Sequence, residues 1–239
     1  MKPYQHILIE DCGEALIPIP LEKFAVQLPH PYEKLGAEYG DKSPYCLRKG
    51  VVEALEMAQF LLNKSYPGWK LKLYDAYRPL GVQQFMVDYT FDCLLKKHGW
   101  EEYRISPQQR QQIWEQVYQF WAIPNTDPTT PPPHSTGAAI DLTLTDDTEE
   151  TVNMGGEIDE LSPRSHPEYY SKSETITEKQ YHRHRQILNQ VMTHAGFLRH
   201  SEEWWHFSLG DQMWAWLYNQ KNPDKPVKAR YGRAFLSSE

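Results

Sequence analysis

Apolar residues recur at helical spacing in residues 47–64, where Val51, Leu55, Ala58 and Leu62 would share one face. Such a stripe is typical of an amphipathic helix that packs on a core. End signals, a proline near the first residue or a glycine after the last, predict three more helices. These span residues 79–99, 106–122 and 178–196.

A period of two predicts the strands. Leu71 and Leu73 alternate with lysines in residues 69–79, and further strands are expected at 138–144 and, around a short turn, within 197–209. Helices and strands come in a mixed order with few strand–helix–strand units. The sequence therefore predicts an α+β fold and not a doubly wound parallel sheet.

The length of 239 residues is sufficient for one large domain, and we expect residues 1–239 to form it. Residues 1–45 mix short apolar runs with prolines and are predicted to form an N-terminal arm. Residues 215–239 contain several lysines and arginines and are predicted to form a peripheral C-terminal tail.

The formal net charge of −7 argues against a nucleic-acid partner, because phosphate binding requires a basic surface. No segment approaches the ~20 apolar residues of a membrane helix, and the N-terminus lacks the apolar core of a secretory signal. Cys12, Cys46 and Cys93 form no Cys-x-x-Cys pair and are interpreted as free, buried structural thiols. These features predict a cytoplasmic protein with no membrane partner.

His134 and Asp141 are the first candidates for chemistry. His134 follows a proline-rich loop, residues 123–133, and Asp141 lies within an apolar strand. On a straight strand they would lie ~23 Å apart, and on one face of a helix ~10 Å apart. They can bind one metal ion only if the chain folds back between them, and Gly137 permits the backbone angles of such a turn.

Glu203 and His206 form a second cluster, Glu-Trp-Trp-His. We expect His206 to join His134 and Asp141 as a zinc ligand, because two imidazoles and one carboxylate leave a fourth tetrahedral position open for water. A carboxylate that is not a ligand can take a proton from that water. Glu203 is the candidate for this general base.

Arg78 stands at the junction of a predicted strand and a predicted helix. Its permanent positive charge could stabilise the oxyanion that forms when a carbonyl is attacked. An ion pair with Asp75 is the alternative, and the sequence leaves both open.

Each of these residues also has a simpler interpretation. Asp141 alone could accept hydrogen bonds from turn amides, and His206 alone could be a core histidine between tryptophans. Their joint occurrence with His134 favours a metal site. The remaining histidines near the C-terminal half are expected to be solvated, and these are His182, His184, His194 and His200. The Trp204–Trp205 pair is expected in the core.

Taken together, the motifs resemble those of the zinc D-alanyl-D-alanine dipeptidases of the vancomycin-resistance type, which are related to zinc D,D-carboxypeptidases and, in fold, to the hedgehog signalling domain. The resemblance spans roughly residues 45–210, with the motifs in the family's order. The matching positions are Asp75, Tyr77, Arg78 and Pro79; His134, Gly137, Ala139 and Asp141; Met154, Gly155 and Asp159; and Glu203 to His206. Pro132 stands where the family pattern has serine.

This resemblance implies a small, mostly antiparallel sheet that bears the zinc site, with helices packed around it. It implies one zinc ion per chain and hydrolysis of D-alanyl-D-alanine-type dipeptides to free amino acids, with Glu203 and Arg78 as catalytic residues. It also implies that Asp159 holds the ammonium of the small dipeptide. Two alternatives stay open: a zinc D,D- or L,D-carboxypeptidase acting on longer wall peptides, and a non-catalytic, zinc-stabilised binding domain.

Overall fold

The computed structural model describes residues 2–41 and 43–234, and within them helices and strands follow one another in a mixed order. The α-helices are α1 (Pro31–Leu35), α2 (Lys49–Ser65), α3 (Leu80–His98), α4 (Pro107–Phe120), α5 (Ile176–His194) and α6 (Gln212–Lys221). The strands are β1 (Leu16–Pro18), β2 (Ala25–Val26), β3 (Cys46–Arg48), β4 (Lys70–Asp75), β5 (Ala139–Thr145), β6 (Leu198–Arg199) and β7 (His206–Ser208).

Five strands form the main sheet in the order β2-β4-β5-β7-β6, and β1 pairs with β3 separately. In the main sheet β2 and β4 run parallel, whereas the other neighbouring strands run antiparallel. The predicted α+β fold with a small, mostly antiparallel sheet is therefore confirmed.

The four helices predicted from the sequence correspond to α2, α3, α4 and α5. The ends of α3 and α4 show why the end signals were informative. The Ser106 side chain accepts a hydrogen bond from the backbone N–H of Gln109 and so caps α4, and Pro107 is its first residue. Gly99 ends α3 with a φ of 66°, a left-handed conformation that glycine adopts without steric cost.

Strand β5 lies in the middle of the sheet and is buried along its whole length. Ile140, Leu142 and Leu144 face the main hydrophobic core, which α2 and α5 complete. Because side chains alternate along a strand, Asp141 faces the opposite side of the sheet. One face of β5 thus packs the core, and the other face is available for chemistry.

The C-terminal segment packs on the N-terminal arm. Ile9 forms a parallel bridge with Ala229, and both Ala229 and Tyr231 are fully buried. In the described part of residues 215–239, for which a peripheral tail is predicted, small and aromatic side chains between the basic ones therefore face inward. Residues 235–239 lie outside the described residues.

The cysteines differ in their surroundings. Cys46 is buried in β3, whereas Cys12 and Cys93 are exposed, so that the interpretation of buried structural thiols is wrong for these two. Cys93 lies on an exposed part of α3. In the described part of the chain, no helix combines the length and the apolar character that crossing a membrane requires.

Candidate active site

Neighbouring strands bring two of the candidate metal ligands together. Asp141 on β5 pairs with His206 on β7 and, on its other side, with Asp75 on β4. The three residues therefore form one row across the sheet, although they are far apart in the sequence. Strand register fixes this row, since a shift of one residue would turn each side chain to the opposite face.

His134 reaches the same place by the turn that the sequence suggested. Residues Pro133–Thr136 form a 3-10 helix, and Gly137, with a φ of +69°, directs the chain into β5. A Cβ atom at Gly137 would lie 2.2 Å from Cδ2 of Leu16, so this turn requires glycine for space as well as for conformation.

The three ligand candidates face one point. Nε2 of His134 lies 3.2 Å from Nδ1 of His206 and 3.2 Å from Oδ2 of Asp141, and Nδ1 of His206 lies 2.9 Å from Oδ1 of Asp141. In a tetrahedral site with zinc–ligand bonds of ~2.0–2.1 Å, ligand atoms lie about 3.3 Å apart. The spacing and the chemistry of this buried donor set therefore fit a zinc ion.

Hydrogen bonds outside the cluster orient both histidines. Nδ1–H of His134 donates to the Ala76 carbonyl at 2.8 Å, which leaves the Nε2 lone pair directed at the cluster. Nε2 of His206 lies 3.4 Å from Oγ of Ser208, which in turn donates to Oδ2 of Asp211 at 2.9 Å. Such outer contacts fix the tautomer and the ring orientation of metal-binding histidines.

The charge of Asp141 also suits a ligand. Burial alone would raise the pKa of its carboxyl, but His134 and His206 outweigh burial and hold the pKa well below its usual range. Asp141 is therefore an anion at neutral pH, the state in which a carboxylate binds a metal.

Glu203 lies beside the ligand cluster, in the turn that precedes β7. Its Oε2 is 3.9 Å from Nδ1 of His206, and its side chain is 14% exposed. Burial raises the pKa of this carboxyl above its usual value. A carboxyl next to the cluster, with a raised pKa and access to the cavity, has the properties that a general base requires.

Arg78 is buried and makes the ion pair that the sequence left open. Its Nη2 lies 2.6 Å from Oδ2 of Asp75 and 3.6 Å from Oδ2 of Asp141. Nη1 donates to Oε1 of Gln83 at 2.9 Å, and Nη2 donates to the Tyr32 hydroxyl at 3.1 Å. Arg78 is therefore held rigidly by several partners, and it still borders the metal-ligand cluster, so the two interpretations of this residue are compatible.

Asp159 lies on the loop that follows β5. Its Oδ2 accepts a hydrogen bond of 2.9 Å from the Tyr32 hydroxyl, and its backbone has a φ of 63°. Burial and the nearby Asp141 carboxylate raise the pKa of Asp159 to about 7, although Arg78 opposes this. The surroundings of Asp159 thus favour its protonated form. A cationic ligand bound beside it would favour the ionised form instead.

One cavity unites the six residues that the sequence predicted for the site: Arg78, His134, Asp141, Asp159, Glu203 and His206. Sequence reasoning missed other residues that line it, among them Lys2, Tyr4, Trp121 and His200. Lys2 and Tyr4 belong to no motif, so no local signal could have revealed them. Trp121 lies 4.9 Å from the Arg78 guanidinium carbon, measured to the ring centroid, and forms part of the cavity wall.

His200 requires a correction. It was expected on the solvated surface, but its ring centroid lies 5.7 Å from that of His206, and burial lowers its pKa to about 3. The turn between β6 and β7 explains this position, because the His200 N–H donates to the His206 carbonyl at 2.9 Å. His194 is exposed, and His182 and His184 are half-buried. Trp204 and Trp205 are buried as expected.

Comparison of the sequence with models of known families identifies the family to which the chain belongs. A family model described as D-ala-D-ala dipeptidase, Peptidase M15, matches residues 26–228. The chain belongs to this family. The resemblance found in the motifs is thereby confirmed, and the chain is an enzyme of the dipeptidase family. Lys2 and Tyr4 lie outside the matched residues.

Two D-alanyl-D-alanine dipeptidases and one solved structure are similar to the chain over much of its length. A D-alanyl-D-alanine dipeptidase of Synechocystis sp. is 52% identical over 239 residues, which cover 98% of this chain and 97% of that protein. A D-alanyl-D-alanine dipeptidase of Escherichia coli is 31% identical over 167 residues, which cover 68% and 66%. The solved structure of the LdcB LD-carboxypeptidase gives a TM-score of 0.46 at 15% identity, and covers 90% of this chain and 75% of that one.

Proposed function

We propose that this protein hydrolyses D-alanyl-D-alanine and closely similar D,D-dipeptides to free amino acids, with one zinc ion bound by His134, Asp141 and His206. The observation that carries the proposal is the convergence of His134, Asp141 and His206, whose ligand atoms, one from each residue, all lie within 4.8 Å of one another, with Glu203 beside them in the same cavity. Membership of the dipeptidase family supports the choice of substrate.

The chemistry follows from what surrounds the cluster. A zinc ion held there would polarise the scissile carbonyl and make a water molecule more acidic. Glu203, at 3.9 Å from His206, accepts the proton of the attacking water and delivers it to the leaving amine. Arg78, fixed by Asp75, places a permanent positive charge where the carbonyl oxygen becomes negative.

Asp159 supplies the selectivity for a dipeptide. Its carboxyl is within the cavity and has one neutral hydrogen-bond donor, the Tyr32 hydroxyl. The free ammonium of a dipeptide would provide the opposite charge, whereas an N-acylated peptide would leave the carboxyl without it. The geometry therefore favours a substrate with a free amino end.

The test compares free D-alanyl-D-alanine with its N-acetyl form on zinc-loaded protein. We expect kcat/KM for the free dipeptide to be at least about 100-fold higher, because loss of one charged partner in a buried pair costs ~3 kcal/mol or more. The variant Asp159→Ala should narrow this gap. Equal hydrolysis of the two substrates by the wild-type protein would contradict the proposal and favour a carboxypeptidase of longer wall peptides.

We further place the reaction in the cytoplasm. Two exposed free thiols, Cys12 and Cys93, support a reducing compartment, where glutathione and thioredoxin preserve them. Cell fractionation should recover the protein with cytoplasmic marker enzymes, and its recovery with secreted proteins would contradict this assignment.

A further inference from the structure

We propose that Lys2, on the N-terminal arm, binds the C-terminal carboxylate of the dipeptide and so makes the enzyme selective for a free carboxyl end. This inference rests on the proposed function and adds to it. Asp159 accounts for one end of a zwitterionic dipeptide, and the opposite end also requires a partner, because an unpaired carboxylate is costly to bury.

Among the described residues that line the cavity, two are lysine or arginine: Lys2 and Arg78. Arg78 is committed to protein partners, since it binds Asp75 through two nitrogens and also donates to Gln83 and Tyr32. Within residues 2–41 and 43–234, in contrast, no carboxylate lies within 4 Å of the Lys2 ammonium. Lys2 is therefore the cation that is available to a ligand.

Different segments of the chain bring Lys2 and Asp159 to the cavity. Asp159 accepts a hydrogen bond from the Tyr32 hydroxyl, which also binds Arg78, whereas Lys2 belongs to the N-terminal arm that Gln212 of α6 holds at the Ile7 carbonyl. Glu203 and Arg78 both border the metal-ligand cluster. The two charges are thus placed to receive the two ends of a molecule whose peptide bond lies at the cluster.

The burial of Lys2 also favours the binding of an anion beside its ammonium. The side chain lies in the cavity wall, and desolvation lowers the pKa of its ammonium, an effect that Glu203 and Glu202 oppose. A carboxylate bound at this position would restore favourable interactions that the ammonium lost on leaving water. It would also form a charge-assisted hydrogen bond, which is stronger than a neutral one.

Contacts within the arm and with distant parts of the chain hold the arm in place. The Lys2 backbone N–H donates to Oε1 of Gln5 at 2.8 Å, and Tyr4 is 4% exposed. Nε2 of Gln212, on α6, donates to the Ile7 carbonyl at 2.7 Å and to the Thr129 carbonyl at 2.9 Å. Lys2 therefore projects from an anchored segment, as a specificity residue must.

The experiment measures kcat and KM for D-alanyl-D-alanine and for its C-terminal amide with wild-type protein, Lys2→Met and Lys2→Arg. Methionine keeps the apolar stem and removes the charge. We expect Lys2→Met to raise KM for the free acid by about 10- to 100-fold, since a hydrogen bond to a charged group is lost, with kcat changed less than about threefold. KM for the amide should stay the same, and Lys2→Arg should retain most of the preference for the acid.

The exposed Lys64 on α2 offers a matched control, and Lys64→Met should behave as the wild type. Circular dichroism and zinc content should be the same in all variants. An unchanged ratio of acid to amide in Lys2→Met would overturn the inference. An equal loss of kcat for both substrates with a shifted pH profile would also overturn it, because Lys2 would then act through Glu203. A wild-type protein that cleaves no D-alanyl-D-alanine would instead refute the proposed function itself.

Discussion

The sheet and the rim of the cavity contribute to the site in different ways. On the sheet side, His134, Asp141 and His206 are 4%, 2% and 5% exposed, and paired strands or a glycine turn hold each of them. On the rim, Lys2 and Asp159 are half-buried and belong to segments without sheet pairing. Several contacts fix the position of each sheet residue, whereas few contacts fix the position of each rim residue.

The sheet residues serve metal binding and catalysis, whereas the rim residues serve substrate selectivity. Metal binding requires several donor atoms within a few tenths of an ångström of fixed positions, and a buried sheet can provide such precision. Choice of substrate requires a charge at each end of the ligand, and segments outside the sheet can supply it without disturbing strand register. We therefore expect changes on the sheet to lower turnover and changes on the rim to alter which peptides are cleaved.

Replacement of a sheet residue should have the largest effect. His206→Ala removes one of three ligands, and we expect zinc content to fall from about one ion per chain to a small fraction, with loss of measurable turnover. Atomic absorption on dialysed protein measures the metal directly. Zinc content equal to that of the wild type would show that the ligand set is wrong. Exposed His194→Ala is the control and should retain zinc.

Glu203 lies at the boundary between the two regions, and its substitution should separate metal binding from catalysis. Glu203→Gln keeps the size of the side chain and removes the basic oxygen. We expect zinc to stay bound while kcat falls by ~10²–10⁴-fold, the usual contribution of general base catalysis. Joint loss of metal and activity would make Glu203 a ligand and place it with the sheet residues.

Local patterns in the sequence determine much of the sheet region. The alternation at Leu71 and Leu73 predicts β4, and the turn at Gly137 follows from the need to join His134 to Asp141. The row of Asp75, Asp141 and His206 is different, because strand register is a tertiary property that no local pattern specifies. The resemblance to the family motifs, in the family's order, was needed to predict that these residues share one site.

On the rim, Asp159 was expected from the family motif, whereas Lys2 could not be predicted from the sequence. Lys2 reaches the cavity because Gln212 binds the Ile7 carbonyl, a contact between residues 205 positions apart, and because Ile9 pairs with Ala229. Neither contact has a sequence signature, and the basic composition near Ala229 suggested a solvated tail. Tyr32, which links Arg78 to Asp159, was missed for the same reason.

A substitution of Arg78 would show how far turnover depends on the exact hydrogen bonds of a residue on the sheet side. Arg78→Lys keeps the positive charge, but one ammonium cannot reproduce the bonds to Asp75, Gln83 and Tyr32. We expect kcat for D-alanyl-D-alanine to fall by about 10- to 100-fold with KM nearly constant, below the loss typical of deleting an oxyanion donor. Steady-state kinetics at equal zinc content measure both constants. A large rise in KM at constant kcat would instead assign Arg78 to substrate anchoring.

The smallest expected effect is a change in the free energy of unfolding, caused by the Asp159 carboxyl on the rim. Burial and the nearby Asp141 carboxylate raise the pKa of Asp159 from its ordinary value of 3.8 to about 7 in the folded protein. Between these pH values the folded state binds more protons than the unfolded state, so stability falls as pH rises through this window and the loss is complete above pH ~7. Asparagine cannot ionise, and it also tolerates the φ of 63° at this position.

Asp159→Asn should therefore be more stable than the wild type, by a margin that grows from pH 5 to pH 8. The full shift would correspond to ~4 kcal/mol, and solvent screening of a half-buried carboxyl reduces our expectation to about 1–2 kcal/mol at pH 8. Urea unfolding of EDTA-treated protein at the two pH values measures the margin, with exposed Asp92→Asn as the control. A margin that is the same at both pH values would assign the gain to backbone conformation alone. A growing margin would show that the folded protein destabilises the ionised carboxyl of Asp159, as its burial near Asp141 requires.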